Sequence, residues 1–303
     1  MMTDSRIVVG VNDSPGARSA CGWAAAEWRI RGGQLVIVHV PAVPRPEPIA
    51  GTGPDGIGPN EPELAGLALL DELVSGIRSR YPDIPVKTLL GHGDPAGSLI
   101  DLSALSDLMV LGTTGSGSNL TSLIGSVSSR VAAQAHCPVA VVPELLPART
   151  TRSGEPTIVV GISDTDAGRA ALRFAFEEAA CRRVGVTAVR GWEDGDPGSE
   201  AAASLAQRQA AARQLRAIVA GSRRDYPDVR VRSLLLHAHP AQAVLQATRD
   251  AELLVIGSHH SGNRWSSRLG PVPQTILHHT SCPVVLIGTP HRLHRPVSDG
   301  FAG

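Results

Sequence analysis

The densest set of residues able to do chemistry is the run Gly112-Thr113-Thr114-Gly115-Ser116-Gly117-Ser118, with nine residues separating Gly115 from Gly125-Ser126. Glycines let backbone N–H groups approach an anion closely and tolerate positive φ. A helix beginning at Ser126 would add unpaired donors, a partial positive charge and a hydroxyl. Together these predict a cradle for a polyphosphate. Taken alone, a Gly/Ser-rich loop after a strand is more often a simple connection. Two better-known phosphate motifs are excluded. A Walker A loop needs a lysine on the β/γ-phosphates, and the chain's one lysine, Lys87, lies elsewhere. A GxGxxG dinucleotide fingerprint should follow the first strand, and this run does not.

No nucleophile–base pair stands out, so no catalytic residue is assigned. The run Gly115-Ser116-Gly117 matches a nucleophile elbow only in part. His259-His260, His278-His279 and His291/His294 are not joined by cysteine or carboxylate clusters, and no metal site is expected. His92 and His237 occupy matching places and either line a cleft or cap the end of a strand. Cys21, Cys137, Cys181 and Cys282 are sparse, form no CxxC pair and are expected as free thiols in a reducing cytoplasm.

The elements that must hold the loop come from an internal repeat. Ile7-Val8-Val9-Gly10-Val11 recurs as Ile158-Val159-Val160-Gly161-Ile162, 151 positions on. From Tyr81, thirty-two residues align without a gap to the run from Tyr226, 145 positions on. The six-residue difference falls in the Pro/Gly-rich stretch Pro41–Pro62. A period near 150 means two whole domains, expected at 1–147 and 155–290 with a tail at 291–303 and a linker at Pro143–Pro156. In the first copy Ile7–Val11, Leu35–Val40, Val86–Leu90, Leu108–Gly112 and Val139–Val142 read as strands buried on both faces. Pro15–Ile30, Glu61–Arg80, Pro95–Leu105 and Ser126–Ala135 read as helices. Ser14-Pro15 and Asp94-Pro95 supply N-caps, and Gly32-Gly33 a stop. The alternation predicts an α/β fold: two tandem doubly wound domains, each a five-stranded parallel sheet flanked by helices. Ligands of such sheets sit beyond the carboxyl ends of the strands, where the strand order reverses.

The spacing G-x2-G-x9-G-[S/T] after the fourth strand, met by Gly112, Gly115, Gly125 and Ser126, resembles the ATP-binding signature of the universal stress protein family. The Val-Gly-Val opening, the Asp-Pro-Ala helix start and the His-Cys-Pro-Val entry to strand five extend that resemblance over nearly the whole chain. It implies that Gly112, Gly115, Gly125, Ser126 and Val127 hold phosphates and ribose, while Gly10, Val11, Asn12 and Val40 frame adenine. It also implies an ATP cofactor, with Asp13 and Asp94 the nearest carboxylates for any accompanying Mg²⁺. The chain departs from the family at Asn12, where aspartate is usual, and at Asp13, where glycine is usual; a slip of one residue would put Asp13 in the acidic role. The second copy departs further, with His260 for the second glycine, Pro271 for the hydroxyl residue and Ser163 for the acid. It reads as a degenerate site in a domain kept for assembly through pairing of the two fifth strands.

Composition bounds the rest. Hydrophobic residues make 42% of 303, and 28 bases balance 28 acids, which argues for a globular protein and against nucleic acid as the main partner. No apolar run approaches the ~20 residues needed to cross a bilayer. Expected partners are therefore an adenine nucleotide, the chain's own second half and a second chain in a homodimer, in the cytoplasm. The expected role is a regulatory, stress-response ATP-binding protein. The alternatives are a slow ATPase or adenylyl-transferring enzyme, and a nucleotide-free interaction module.

Overall fold

The structure is a computed structural model, and it describes residues 5–41, 60–113, 125–146, 155–193, 201–258 and 269–288. The first half runs β1 (Arg6–Val11), α1 (Pro15–Arg31), β2 (Gln34–His39), α2 (Glu61–Arg80), β3 (Val86–Leu90), α3 (Pro95–Ser103), β4 (Leu108–Gly112), α4 (Ser126–Gln134) and β5 (Val139–Val142). The second repeats the pattern with β6 (Thr157–Gly161), α5 (Asp166–Arg182), β7 (Gly185–Trp192), α6 (Ala201–Asp225), β8 (Val231–His237), α7 (Pro240–Ala247), β9 (Ala251–Gly257), α8 (Pro271–His279) and β10 (Val284–Ile287).

Local chemistry sets the boundaries. Ser14 caps α1 by accepting from the Ala17 N–H, and Asp94 caps α3 by accepting from Gly97. Asn60 and Glu63 form a reciprocal capping box at the start of α2. Gly32 ends α1 at φ 73°, a conformation that disfavours any side chain. The expected helices are reproduced to within one or two residues at each end.

The strands form one sheet in the order β3-β2-β1-β4-β5-β10-β9-β6-β7-β8. Within each half every pairing is parallel, so each repeat is a five-stranded parallel unit. The halves join through β5 and β10, which run antiparallel, with Ala140 opposite Val285 and Val139 opposite Leu286. The expected edge-to-edge pairing of the fifth strands is present, and it leaves neither strand as an exposed apolar edge. One expectation fails. β3 is not buried on both faces: Lys87, Thr88 and Leu89 are exposed. It is the outermost strand of its half, and its partner β2 covers one side only.

Two apolar layers sandwich the sheet. Ile7, Val9 and Val110 pack with α1 and α2, continuing into α5 and α6 of the second half. Val8, Met109 and Leu111 pack with α3 and α4, continuing into α7 and α8. A third contact joins the halves and has no counterpart in the sequence reading. Glu27 and Arg31 of α1 meet Glu178 and Arg182 of α5, positions equivalent in the two repeats. Arg182 donates to Glu27 at 2.6 Å and to Glu178 at 2.9 Å, and Arg31 reciprocally donates to Glu178. The Arg182 side chain is 6% exposed and that of Glu27 2%. Burial works against the Arg182 charge, but Glu27 and Glu178 outweigh it and raise the guanidinium above its ordinary pKa.

Candidate functional site

The strand order reverses between β1 and β4, so the carboxyl ends of these two strands define the crevice where a doubly wound sheet takes its ligand. Gly10 and Val11 end β1 and Gly112 ends β4. Val40 follows β2 and is 8% exposed. Gly125 is the N-cap of α4, and Ser126 and Val127 are its first two residues. The sequence-predicted set therefore gathers at one end of one half, with the exception of Gly115, which lies outside the described residues.

Two of these glycines have a packing reason of their own. A Cβ on Gly112 would overlap the Gly16 carbonyl and come within 2.9 Å of the Ala17 nitrogen. One on Gly10 would sit 2.7 Å from a Leu111 methyl and 2.8 Å from one of Leu99. Gly112 thus lets β4 pass close under the start of α1, and Gly257 does the same beneath Ala167 and Gly168 in the second half. Gly125 corrects an expectation. Its φ is −65°, so it does not use the left-handed region that was its sequence rationale. What its missing side chain contributes is a helix start without a cap.

That helix start is the site's main electrostatic feature. No side chain caps α4, so the first-turn N–H groups at Ser126, Val127 and Ser128 have no partner within the helix. Ser128, missed in the sequence, is 6% exposed and donates its hydroxyl to the Gly112 carbonyl at 3.0 Å, tying α4 to the end of β4. Thr113 follows Gly112, is 3% exposed, and its hydroxyl has no hydrogen-bond partner among the described residues. A buried unpaired hydroxyl costs about 1–3 kcal/mol.

Around the crevice the polar groups are largely committed. The Asn12 side-chain oxygen accepts from the Ser14 hydroxyl at 2.7 Å, which leaves one lone pair for a further donor. Asp13 is 82% exposed and paired with Arg18 at 3.2 Å, while Arg18 also reaches Glu72. Asp94 is capped onto Gly97 and bridged by Arg130 of α4 at 2.6 Å. Its partial burial alone would raise the carboxyl pKa, but the Gly97 N–H and the Arg130 cation lower it on balance. Both carboxylates named for Mg²⁺ are thus already engaged. Among the described residues no group of three or more His, Cys, Asp or Glu could hold a metal ion. His39, also missed, donates from Nδ1 to the Val11 carbonyl at 2.9 Å and fixes the end of β2 beside β1. Its signal was its place beside Val40 at the carboxyl end of the second strand. His92 follows β3, its ring 3.5 Å from Glu63.

The second half keeps the scaffold and alters the contacts. Gly270 is again an uncapped helix start, at φ −63°, but Pro271 and Pro273 occupy the first and third positions of α8. Proline has no N–H, so two of the first-turn donors are gone. Pro273 also stands where Ser128 does, and His239 where Asp94 does. The Ser163 hydroxyl is engaged with Thr165 at 3.1 Å. His237 ends β8 with its ring stacked on Trp192 at 4.5 Å, while His260 lies outside the described residues. None of the four cysteines forms a disulfide; Cys181 is exposed and the other three are buried. No described helix is long and apolar enough to cross a membrane.

Comparison with known proteins agrees with this fold. The chain is 31% identical over 299 residues to universal stress protein Rv2005c of Mycobacterium tuberculosis, covering 92% of this chain and 96% of that protein. It is 29% identical over 294 residues to universal stress protein Rv2623 of the same organism, covering 92% and 95%. A crystal structure of a universal stress protein from Archaeoglobus fulgidus superposes with a TM-score of 0.70 at 15% identity, covering 95% of this chain and all of that one. At that identity the likeness speaks for the fold. The profile of the universal stress protein family matches residues 5–143 and again 156–288, so this chain belongs to the universal stress protein family and carries its domain twice.

Proposed function

We propose that the chain is an ATP-binding regulatory protein of the stress response, with the nucleotide held by the N-terminal unit, residues 1–147. The unit at 155–290 serves chiefly as its structural partner. The observation that carries the reading is the uncapped start of α4, tied by Ser128 to the end of β4 at the point of strand-order reversal. There Ser126 and Val127 offer backbone N–H groups and a hydroxyl to a phosphate, with Gly125 leaving room for close approach. Gly112 ends β4 beneath them, and Gly115, outside the described residues, is assigned to the same phosphate end by the family resemblance. Gly10, Val11, Asn12 and Val40 border the adenine end. The orphaned Thr113 hydroxyl supports the reading, because a buried donor without a partner is what a ligand or its loop would satisfy.

A dedicated Mg²⁺ site is not built among the described residues, where no three His, Cys, Asp or Glu come together and Asp13 and Asp94 each face an arginine. Any metal would arrive with the triphosphate and be held mainly by it. An in-line phosphoryl transfer would also need a positioned base or water-orienting side chain, and the described residues at the crevice supply no such group outside these pairings. The reading is therefore of binding, with at most slow hydrolysis. Mass spectrometry of the denatured, as-purified protein tests it. Released ATP is the expected result. ADP with steady turnover would make the chain an enzyme, and no nucleotide, even after incubation with ATP, would leave it an interaction module.

A further inference from the structure

The two halves have the same fold but differ in how the helix after the fourth strand is fastened. In the first half α4 is tied at two points. The Ser128 hydroxyl donates to the Gly112 carbonyl at 3.0 Å, and Arg130 reaches Asp94, the N-cap of α3, at 2.6 Å. One tie grips the end of the strand and the other the start of the neighbouring helix. Both act within the first five residues of α4, where its free N–H groups lie. In the second half both ties are absent from the sequence itself. Pro273 stands at the place of Ser128, Thr275 at that of Arg130 and His239 at that of Asp94. The covering packing persists, with Ile276 and Leu277 of α8 buried as Val131 and Ala132 of α4 are. Holding helix on sheet therefore does not require the ties, which leaves their cost in ordered side chains to be explained otherwise.

We infer that Ser128, Arg130 and Asp94 are positioning residues for the phosphate end of the nucleotide site, fixing the direction in which the α4 N-terminus aims its N–H groups. The inference rests on the proposed ATP binding. The physics favours it: an N–H donor stabilises an oxyanion only within a narrow range of distance and angle, and a helix start held by packing alone can tilt about its buried stripe. The Ser128 bond sets the distance of the first turn from Gly112. The Arg130–Asp94 bridge resists rotation of the helix away from α3. Arg130 also brings a cation to the same end of the helix, while Asp94 neutralises it, so the pair acts through geometry more than through net charge.

The test compares ATP with adenosine, titrated calorimetrically into the full chain and into its Ser128→Ala, Arg130→Ala and Asp94→Asn variants. Asparagine keeps the N-cap acceptor of α3 and removes only the charge. Each variant is expected to bind ATP about three- to ten-fold more weakly, the scale of one lost hydrogen bond. Adenosine affinity, which involves no phosphate, should stay within two-fold, roughly the limit of such a comparison. Arg130→Lys should recover most of the loss, and Asp94→Asn combined with Arg130→Ala should be no worse than either alone. ATP affinity unchanged in all three variants would overturn the inference. So would equal losses for ATP and adenosine, which would mean general loosening of the domain. A wild-type chain that binds neither ligand would remove the parent reading, and this inference with it.

Discussion

Replacing Arg182 with methionine should destabilise the whole chain more than any other single change of a charged residue discussed above. Methionine roughly fills the volume of the arginine stem, so the loss is of charge and hydrogen bonds rather than of packing. Arg182 serves both Glu27, across the join, and Glu178, on its own helix, at 2.6 and 2.9 Å, with Glu252 3.6 Å away. Each charge-assisted bond contributes about 1.5–3 kcal/mol. Removing one partner of a buried pair costs about 3–5 kcal/mol, because the surviving charge is left in a poorly solvating place. Here two carboxylates, each at most 5% exposed, would be left sharing Arg31. We therefore expect a loss of about 3–5 kcal/mol. Guanidinium denaturation followed by far-ultraviolet circular dichroism and tryptophan fluorescence reads it directly. Adding Glu27→Gln should recover at least about 1 kcal/mol, since one orphaned charge is then gone. A loss under about 0.5 kcal/mol, the level of ordinary surface changes, would refute the reasoning and mean that water reaches the cluster.

A fragment of residues 1–147 should dimerise at micromolar concentration, because β5 pairs in a register symmetric about Ala140 and Val285, and Glu27/Arg31 match Glu178/Arg182. A stable monomer in analytical ultracentrifugation would show that the edge needs no partner. Gly112→Ala and Gly257→Ala should each lower the thermal midpoint by several degrees, with or without ATP, because the new Cβ meets helix backbone. Gly125→Ala, at φ −65°, should cost under about 1 kcal/mol in stability and show its main effect in ATP affinity; a large melting shift for Gly125→Ala alone would reverse that ordering. Burial pushes the Cys21 and Cys137 thiols up to about 12 from their usual 9. The unfolded thiols therefore ionise first, and stability should fall as pH rises from about 9 towards 12. Flat stability over that range would show that these thiols titrate normally in the fold.

The fold was legible because its signals are local and repeated. Ser14-Pro15, Asp94-Pro95 and Gly32 punctuate the helices where the structure has them, and the ungapped alignment from Tyr81 required the halves to match. The exposure of β3 was legible only in part: Lys87 and Thr88 interrupt its apolar run, but it is the sheet order that makes it an edge. The site was legible as a set but not as a mechanism. Gly112 reads as a phosphate glycine, yet its closest constraint is the backbone of α1, a contact between segments nearly a hundred residues apart. Ser128, Arg130 and His39 act on partners that no spacing rule connects to them. The Glu27–Arg182 cluster is similarly hidden. An acid and a base four apart on a helix usually denote a solvated pair, and only the antiparallel junction of β5 with β10 brings the two copies together and buries them.

The central claim is that one of the two repeats, the first, binds ATP. Isothermal titration of ATP into the nucleotide-stripped full chain tests it most directly, with the same titration repeated on Ser126→Pro, which gives α4 the proline that α8 has at the same position. One equivalent of ATP per wild-type chain is expected, and loss of that equivalent in the variant with the circular dichroism spectrum unchanged, because proline is accepted at the first position of a helix. Two comparable sites in the wild type, or an undiminished site in Ser126→Pro, would contradict it.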